Sequence, residues 1–210
     1  MIDLYTWTTP NGRKTSIMLE EVGLPYTVHA IDINKNEQFA PDFLKIAPNN
    51  RIPAIVDRDN NMSLMESGAI LIYLADKTGK LMPKSGEGRY KVIEWLMWQM
   101  GGVGPMFGQV HHFVKYNAGK APYAEERYLK EARRLYKVLD TQLEGRDFVA
   151  GDYSIADIAI WPWISRFEWQ TIDLKQYANV KRWYETIAAR PAVQKGYKVP
   201  KDMGPVPMPK

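Results

Sequence analysis

Hydrophobic and polar positions follow two different rhythms along the chain. Through about residue 78, short apolar runs alternate with stretches of helical spacing. Residues 2–6 (IDLYT) read as a strand and 11–22 as a helix, with Ile17, Met18 and Glu21-Val22 recurring at helical intervals. Gly23-Leu24-Pro25 stops that helix, and YTVHAI at 26–31 supplies a second strand. A short helix is predicted at 42–46. Residues 51–57 give a third strand, the turn Asp59-Asn60-Asn61 follows, and 62–65 pairs back as a fourth. A helix over 67–77 closes at Gly79. The order β-α-β-α-β-β-α predicts an α/β layer of about 80 residues.

Beyond a Pro/Gly/Ser-rich linker at 81–88 (LMPKSGEG), the pattern is helical. Residues 90–100 carry Trp95 and Trp98 three apart, and 122–143 carries a stripe of Tyr128, Leu135, Val138 and Leu139. Ser154 and Asp157 have the spacing of a capping box at the start of another helix. A last helix, 180–189, halts at Arg190-Pro191. Gly101 to Pro105, and Pro162 between two tryptophans, are expected to break or bend their helices. The predicted organisation is an α/β domain at 1–80, the linker at 81–88, an all-helical domain at 89–197 and an extended tail at 198–210. No internal repeat is visible.

Composition narrows the function classes. The 210 residues are 45% hydrophobic and 25% charged, as in an ordinary globular protein. No apolar run approaches the roughly 20 residues that span a bilayer. The N-terminus lacks a basic flank and an apolar core segment, so a cytoplasmic protein with no membrane role is expected. The net charge is +4, but basic residues interleave with acids, as in Glu125-Glu126-Arg127, and no nucleic-acid motif is present. Nucleic acid is therefore not an expected partner. With no cysteine, disulfides, thiolate metal sites and a protein-borne redox pair are excluded. His111 and His112 are adjacent and diverge by about 100° on a helix, so no metal site is expected.

Thr9-Pro10-Asn11-Gly12, directly after the first strand, is the segment richest in chemistry. Thr9 suits an N-cap and Pro10 the first helical position. A helix start offers N–H donors and a positive dipole end that favour an anion such as a thiolate. Taken alone, these four residues read either as an ordinary helix start or as an anion site.

Four further motifs give the chain a recognisable likeness. They are Ala47-Pro48-Asn49-Asn50-Arg51-Ile52-Pro53-Ala54, Glu66-Ser67-Gly68-Ala69-Ile70, Tyr153-Ser154-Ile155-Ala156-Asp157, and Arg190-Pro191. In this order and spacing the chain resembles the cytosolic glutathione transferase superfamily from Met1 to about Tyr197. The turn at Thr9, Pro48-Asn49-Asn50, Gly101 to Met106 and His111-His112-Phe113 look more narrowly like the bacterial Nu class. That class is related to the yeast regulator Ure2 and contains glutathione-dependent disulfide-bond oxidoreductases. The resemblance implies a thioredoxin-like α/β N-terminal domain followed by an all-α C-terminal domain. It also implies glutathione as cosubstrate, no metal, and a symmetric homodimer.

Site roles follow from the resemblance, residue by residue. Thr9 and Asn11 are assigned to stabilising the glutathione thiolate, and Tyr5, inside the strand, to packing. Ile52-Pro53 matches the family's cis-proline turn, where Ile52 presents backbone groups to the peptide of glutathione; the alternative is a plain loop proline. Glu66 suits the γ-glutamyl ammonium and Ser67 the carboxylate, the alternative being a solvent-facing Glu beside a capping Ser. Gln38 and Arg51 match positions serving the glycyl end. Arg127 matches a glutathione-contacting arginine, the alternative being a surface pair with Glu126 or Glu131. The implied function is disulfide reduction by ligand sulfurs alone. The alternatives are conjugation or thioether cleavage at a small electrophile, and a non-enzymatic interaction module.

Overall fold

The computed structural model describes residues 1–209; Lys210, the end of the predicted tail, lies outside the described residues. The chain divides into two compact units. One comprises Met1–Lys84 with Ala189–Val206, the other Ser85–Ala188 with the residues from Pro207 onward.

The first unit is built on a four-stranded sheet of β1 (Ile2–Thr6), β2 (Tyr26–Ala30), β3 (Ala54–Asp57) and β4 (Met62–Met65), in the order β2-β1-β3-β4. β1 runs parallel to β2 and antiparallel to β3, and β3 runs antiparallel to β4. The parallel pair needs a crossover, which α1 (Pro10–Val22) provides. α2 (Pro41–Ile46) and α3 (Ser67–Thr78) complete this part of the unit. Ile2, Leu4 and Thr6 of β1 are fully buried, and so are Met18, Leu19, Ile70, Leu71 and Leu74 on the helices. Tyr5, on the opposite face of β1, joins Phe43, Ala47, Ala54, Ile46, Ile52 and Met65 in a second apolar cluster. Burial of each such large side chain contributes about 1.5–3 kcal/mol. The predicted third strand starts later than expected, at Ala54, because the chain first turns through a cis Ile52-Pro53 bond.

The second unit holds α4 (Gly86–Trp98), α5 (Gly104–Val110), α6 (Pro122–Gln142), α7 (Ile155–Ile164) and α8 (Ala178–Ala188). α7 is apolar nearly all round and every one of its residues is buried, as a central helix requires. The capping box is present: Ser154 Oγ accepts from Ala156 N–H at 3.3 Å, and Asp157 Oδ2 accepts from Ser154 N–H at 3.0 Å. Two expectations change here. α4 begins at Gly86, inside the predicted linker. The helix also continues through Pro162 and ends two residues later at Ile164, where Ser165 Oγ donates to the Pro162 carbonyl at 2.8 Å. The expected disturbance at Gly101-Gly102 takes the form of a wide π turn over Gln99–Val103.

The end of the chain departs furthest from expectation. Residues 189–206 pack in the sheet unit, and a further helix, α9 (Pro191–Gly196), follows the predicted stop. Pro191 starts this helix in the first-turn position that proline tolerates. Ser16 Oγ donates to the Gly196 carbonyl at 2.7 Å, and Arg13 Nε to the Tyr197 carbonyl at 3.2 Å. The Arg13 guanidinium also lies 3.5 Å from the centre of the Tyr197 ring. The predicted boundary at 197 therefore falls inside a segment fastened to α1, and Val206 beyond it is buried.

Candidate functional site

The register of the sheet places four chain segments at one edge. Tyr5 pairs with Ala54, and Ala54 with Met65, so the end of β1, the start of β3 and the end of β4 lie side by side. β2 ends at the same edge, with Ile31 N–H donating to the Thr6 carbonyl at 3.0 Å. Thr9 and Asn11 after β1, Gln38 beyond β2, Arg51 and Ile52-Pro53 before β3, and Glu66 and Ser67 after β4 therefore all leave the sheet at that edge.

Thr9 caps α1: its Oγ1 accepts from Gly12 N–H at 3.1 Å, with Pro10 in the first turn. The hydroxyl proton still allows Thr9 to donate outward. A Cβ on Gly12 would stand 2.1 Å from the Trp7 carbonyl oxygen, so only glycine lets the helix begin this close to the strand end. Asn11, at the second helical position, is partly exposed. The helix start thus supplies a hydroxyl, a side-chain amide and the positive dipole end in one place.

Two backbone features mark the facing segments. Ile52-Pro53 is cis, with Pro53 buried and Ile52 partly exposed. Glu66 holds φ 70°, ψ 112°, a conformation that costs a non-glycine residue about 1–3 kcal/mol. Its carboxylate makes no capping bond and is exposed. Ser67 is buried at the first position of α3.

Gln38 carries an orphan: its Oε1 is buried and has no hydrogen-bond partner. An unsatisfied carbonyl oxygen costs about 1–3 kcal/mol and is suited to an N–H donor from a bound molecule. Arg51 is exposed.

Lys14 escaped the sequence reading. It is wholly buried on α1, and its Nζ donates to Ser67 Oγ at 3.2 Å. Burial pushes its ammonium down to about 7, while the Glu66 carboxylate acts in the opposite direction. A lysine on an amphipathic helix reads as surface; the one signal against that reading is the polar run Gly12 to Ser16, which gives α1 no apolar face at its N-terminal end.

Tyr5 stacks on His29 with ring centres 4.5 Å apart and tilts against Phe43 at 6.1 Å. Burial pushes its phenol pKa up, so it stays protonated. In the helical unit, Arg127 is exposed on α6, in a cavity of about 630 Å³ shared with Met106, Tyr123 and Tyr128. Glu131 pairs with Arg134 at 2.7 Å, leaving Arg127 outside that ion pair. His111 is buried, accepts from Gln170 Nε2 at 3.3 Å and stacks on Trp163; burial first, and Arg166 second, hold it down at about 4. It is therefore neutral at pH 7. Among the described residues no group of three or more His, Cys, Asp or Glu is placed to hold a metal ion. Nor, among them, is any helix long and apolar enough to cross a membrane.

Comparison with known proteins decides the family. Residues 1–76 match the model of the glutathione S-transferase N-terminal domain, and 103–191 that of the C-terminal domain. The chain belongs to the glutathione S-transferase family. It is 50% identical over 198 residues to the disulfide-bond oxidoreductase YfcG of Escherichia coli (strain K12), covering 91% of this chain and 92% of that one. A glutathione transferase from Burkholderia graminis, crystallised with two glutathione molecules per subunit, superposes with a TM-score of 0.89 at 47% identity, over 97% of this chain and 89% of its own. One from Pseudomonas putida, with one glutathione disulfide per subunit, gives 0.88 at 44% identity, over 95% and 91%. The thioredoxin-like sheet unit and helical unit of this transferase are those its motifs implied. The donors at the sheet edge and the Gln38 orphan fit a small peptide bearing an anionic sulfur.

Proposed function

We propose that this transferase is a glutathione-dependent disulfide-bond oxidoreductase of the Nu class. The observation that carries the reading is a donor-rich helix start, Thr9 to Gly12, in a chain without a single cysteine. Any disulfide exchanged there must be reduced by sulfurs that arrive with substrate. The balanced reaction takes two glutathione thiols and one substrate disulfide to glutathione disulfide and two substrate thiols. The likeness to the disulfide-bond oxidoreductase YfcG supports the reaction class, and the related structures holding two glutathiones or their disulfide support this stoichiometry.

The chain's own part is positioning and charge stabilisation. Thr9 Oγ1 and the Asn11 amide donate to the sulfur anion beside the dipole of α1. A thiol of pKa near 8.5 is a few per cent ionised at neutral pH. Lowering that pKa by about two units requires roughly 2.7 kcal/mol of preferential anion stabilisation, within reach of charge-assisted hydrogen bonds at a helix start. The Ile52 backbone aligns the peptide, Gln38 Oε1 accepts from one of its N–H groups, and Arg51 serves its glycyl carboxylate. Glu66 holds the γ-glutamyl ammonium, and Ser67 the carboxylate at the start of α3. Arg127, exposed on α6, keeps its proposed role as a glutathione contact.

Exposed Tyr90 and Met97 on α4 and Tyr123 on α6 give the helical unit apolar surface suited to a homodimer, which light scattering at micromolar concentration measures. We place the enzyme in the cytoplasm, where glutathione is kept reduced. The deciding experiment compares glutathione-dependent reduction of a small mixed disulfide with conjugation to an aryl halide. Reduction should dominate. Strong conjugation with negligible reduction would make the protein a carbon-centred transferase instead, and absence of both, with no glutathione binding, an interaction module.

A further inference from the structure

Lys14 is buried, and its ammonium reaches Ser67, the side chain read above as the partner of the γ-glutamyl carboxylate. Its Nζ stands 3.2 Å from Ser67 Oγ, so a carboxylate accepting from Ser67 comes to rest beside a second, charged donor. The groups on the elements packed against α1 are mostly engaged elsewhere. On α9 and its flanks, Lys195 pairs with Glu20, Arg190 pairs with Glu21, and Tyr197 lies under Arg13. On β1, Asp3 is held by Arg58 and His29, while Tyr5 stacks on His29. On α3, Tyr73 and Lys77 bind Asp57, and Asp76 lies two turns or more from Ser67. Glu66 is the carboxylate that acts on Lys14, and it is exposed, so solvent weakens its hold.

We propose that Lys14 is a positioning residue for the substrate carboxylate at Ser67, and that its side chain takes up a proton as that carboxylate binds. The inference rests on the glutathione reading above and deepens it. Without substrate, burial holds the ammonium down at about 7, so neutral pH lies within its titration range. A carboxylate at Ser67 adds an opposite charge at short range in a dry setting, and the ammonium form is then favoured. Binding and protonation are linked, so affinity must fall as pH rises through and above 7.

The test uses S-methylglutathione, whose blocked sulfur cannot release a proton of its own. Calorimetry of the full-length protein at pH 8, in two buffers of different ionisation enthalpy, reads protons exchanged per ligand. Uptake of roughly 0.5–1 proton is expected, together with an affinity that weakens about fivefold between pH 7 and pH 8. In Lys14→Met the uptake should vanish and the affinity should become flat over that range. Binding by the wild type with no proton uptake overturns the inference and leaves the glutathione reading intact. Retention of uptake by a folded Lys14→Met also overturns it, by assigning the proton elsewhere. If S-methylglutathione fails to bind the wild type at all, the glutathione reading falls and this inference with it. The wild-type measurements decide the matter even where Lys14→Met does not fold.

Discussion

Gly196 sits against Ile17 so tightly that a Cβ on it would stand 2.7 Å from both the Ile17 nitrogen and its Cα. Backbone cannot yield as a long side chain can, so even one methyl group must separate α9 from α1. Gly196→Ala should destabilise the protein by about 1–3 kcal/mol, the usual range for overpacking. A lowered denaturant midpoint with an unchanged slope checks this. Equal stability would mean that the contact between the two helices is loose.

Asn11 tests the sulfur site directly. If Asn11 donates to the sulfur anion as proposed, Asn11→Ala removes a donor to developing negative charge, a loss that in comparable sites lowers turnover about a hundredfold. The kcat/KM for glutathione-dependent disulfide reduction should fall by about that factor. Thr9→Val should lower activity too, but it also removes the bond from Gly12 N–H to the cap, with a stability loss of about 1 kcal/mol. Full activity in Asn11→Ala removes Asn11 from the mechanism.

Much of this architecture is visible in local pattern because local chemistry produces it. Thr9-Pro10 and Ser154 with Asp157 signal helix starts whose capping bonds involve neighbours in sequence, and both are formed. The strands β1, β2 and β4 stand where apolar runs and turn residues put them. The family's motifs also name the segments that meet at the sheet edge. Lys14 and α9 were not legible, because each depends on partners far along the chain. Lys14 is buried by tertiary packing onto Ser67, 53 positions away. Residues 191–196 follow the predicted helix stop with too short a pattern to read as a helix until Gly196 closes onto Ile17, and the Arg13 side chain has no reason to be buried until Tyr197 covers it. Pro162 misled for the opposite reason: burial all round α7 holds a helical backbone that proline alone disfavours.

Gln38 should separate stability from binding. Replacing it by Leu removes the orphaned Oε1, so the free protein should be as stable as the wild type or slightly more so. The substrate loses an acceptor at the same time, and its KM or dissociation constant should rise about tenfold, near the 1.4 kcal/mol of one hydrogen bond. Thermal melts with and without glutathione read both effects. A large stability loss in the free protein would show that Gln38 is structural.

Asp157 organises the helical unit, accepting from Trp183 Nε1 at 2.9 Å, Val149 N–H at 3.1 Å and Ser154 N–H at 3.0 Å. Burial pushes its carboxyl up to about 6, against the pull of these donors. Asp157→Asn spares the buried charge but turns an NH2 group towards donors that need an acceptor. The donor mismatch outweighs the saved charge, and the substitution should destabilise by about 2–4 kcal/mol. Urea midpoints at pH 7 measure it; a more stable variant would show that the charge penalty dominates.

Asp3 contributes acid sensitivity to the sheet unit. The Arg58 guanidinium, with Nε 2.6 Å from Oδ2, holds the carboxyl down at about 2 against the effect of burial, and His29 Nε2 assists at 2.9 Å. Its pKa in the folded chain thus lies below the ordinary value near 3.8. The unfolded state binds the proton first, so this pair's stabilisation is fully present above about pH 4 and is lost as pH falls towards 2. Arg58→Gln should lower the melting temperature at pH 6. The gap between wild type and variant should then narrow steadily below pH 4 as Asp3 protonates in both. A gap that stays constant down to pH 2 would show that Arg58 acts through packing of its side-chain stem and not through the Asp3 charge.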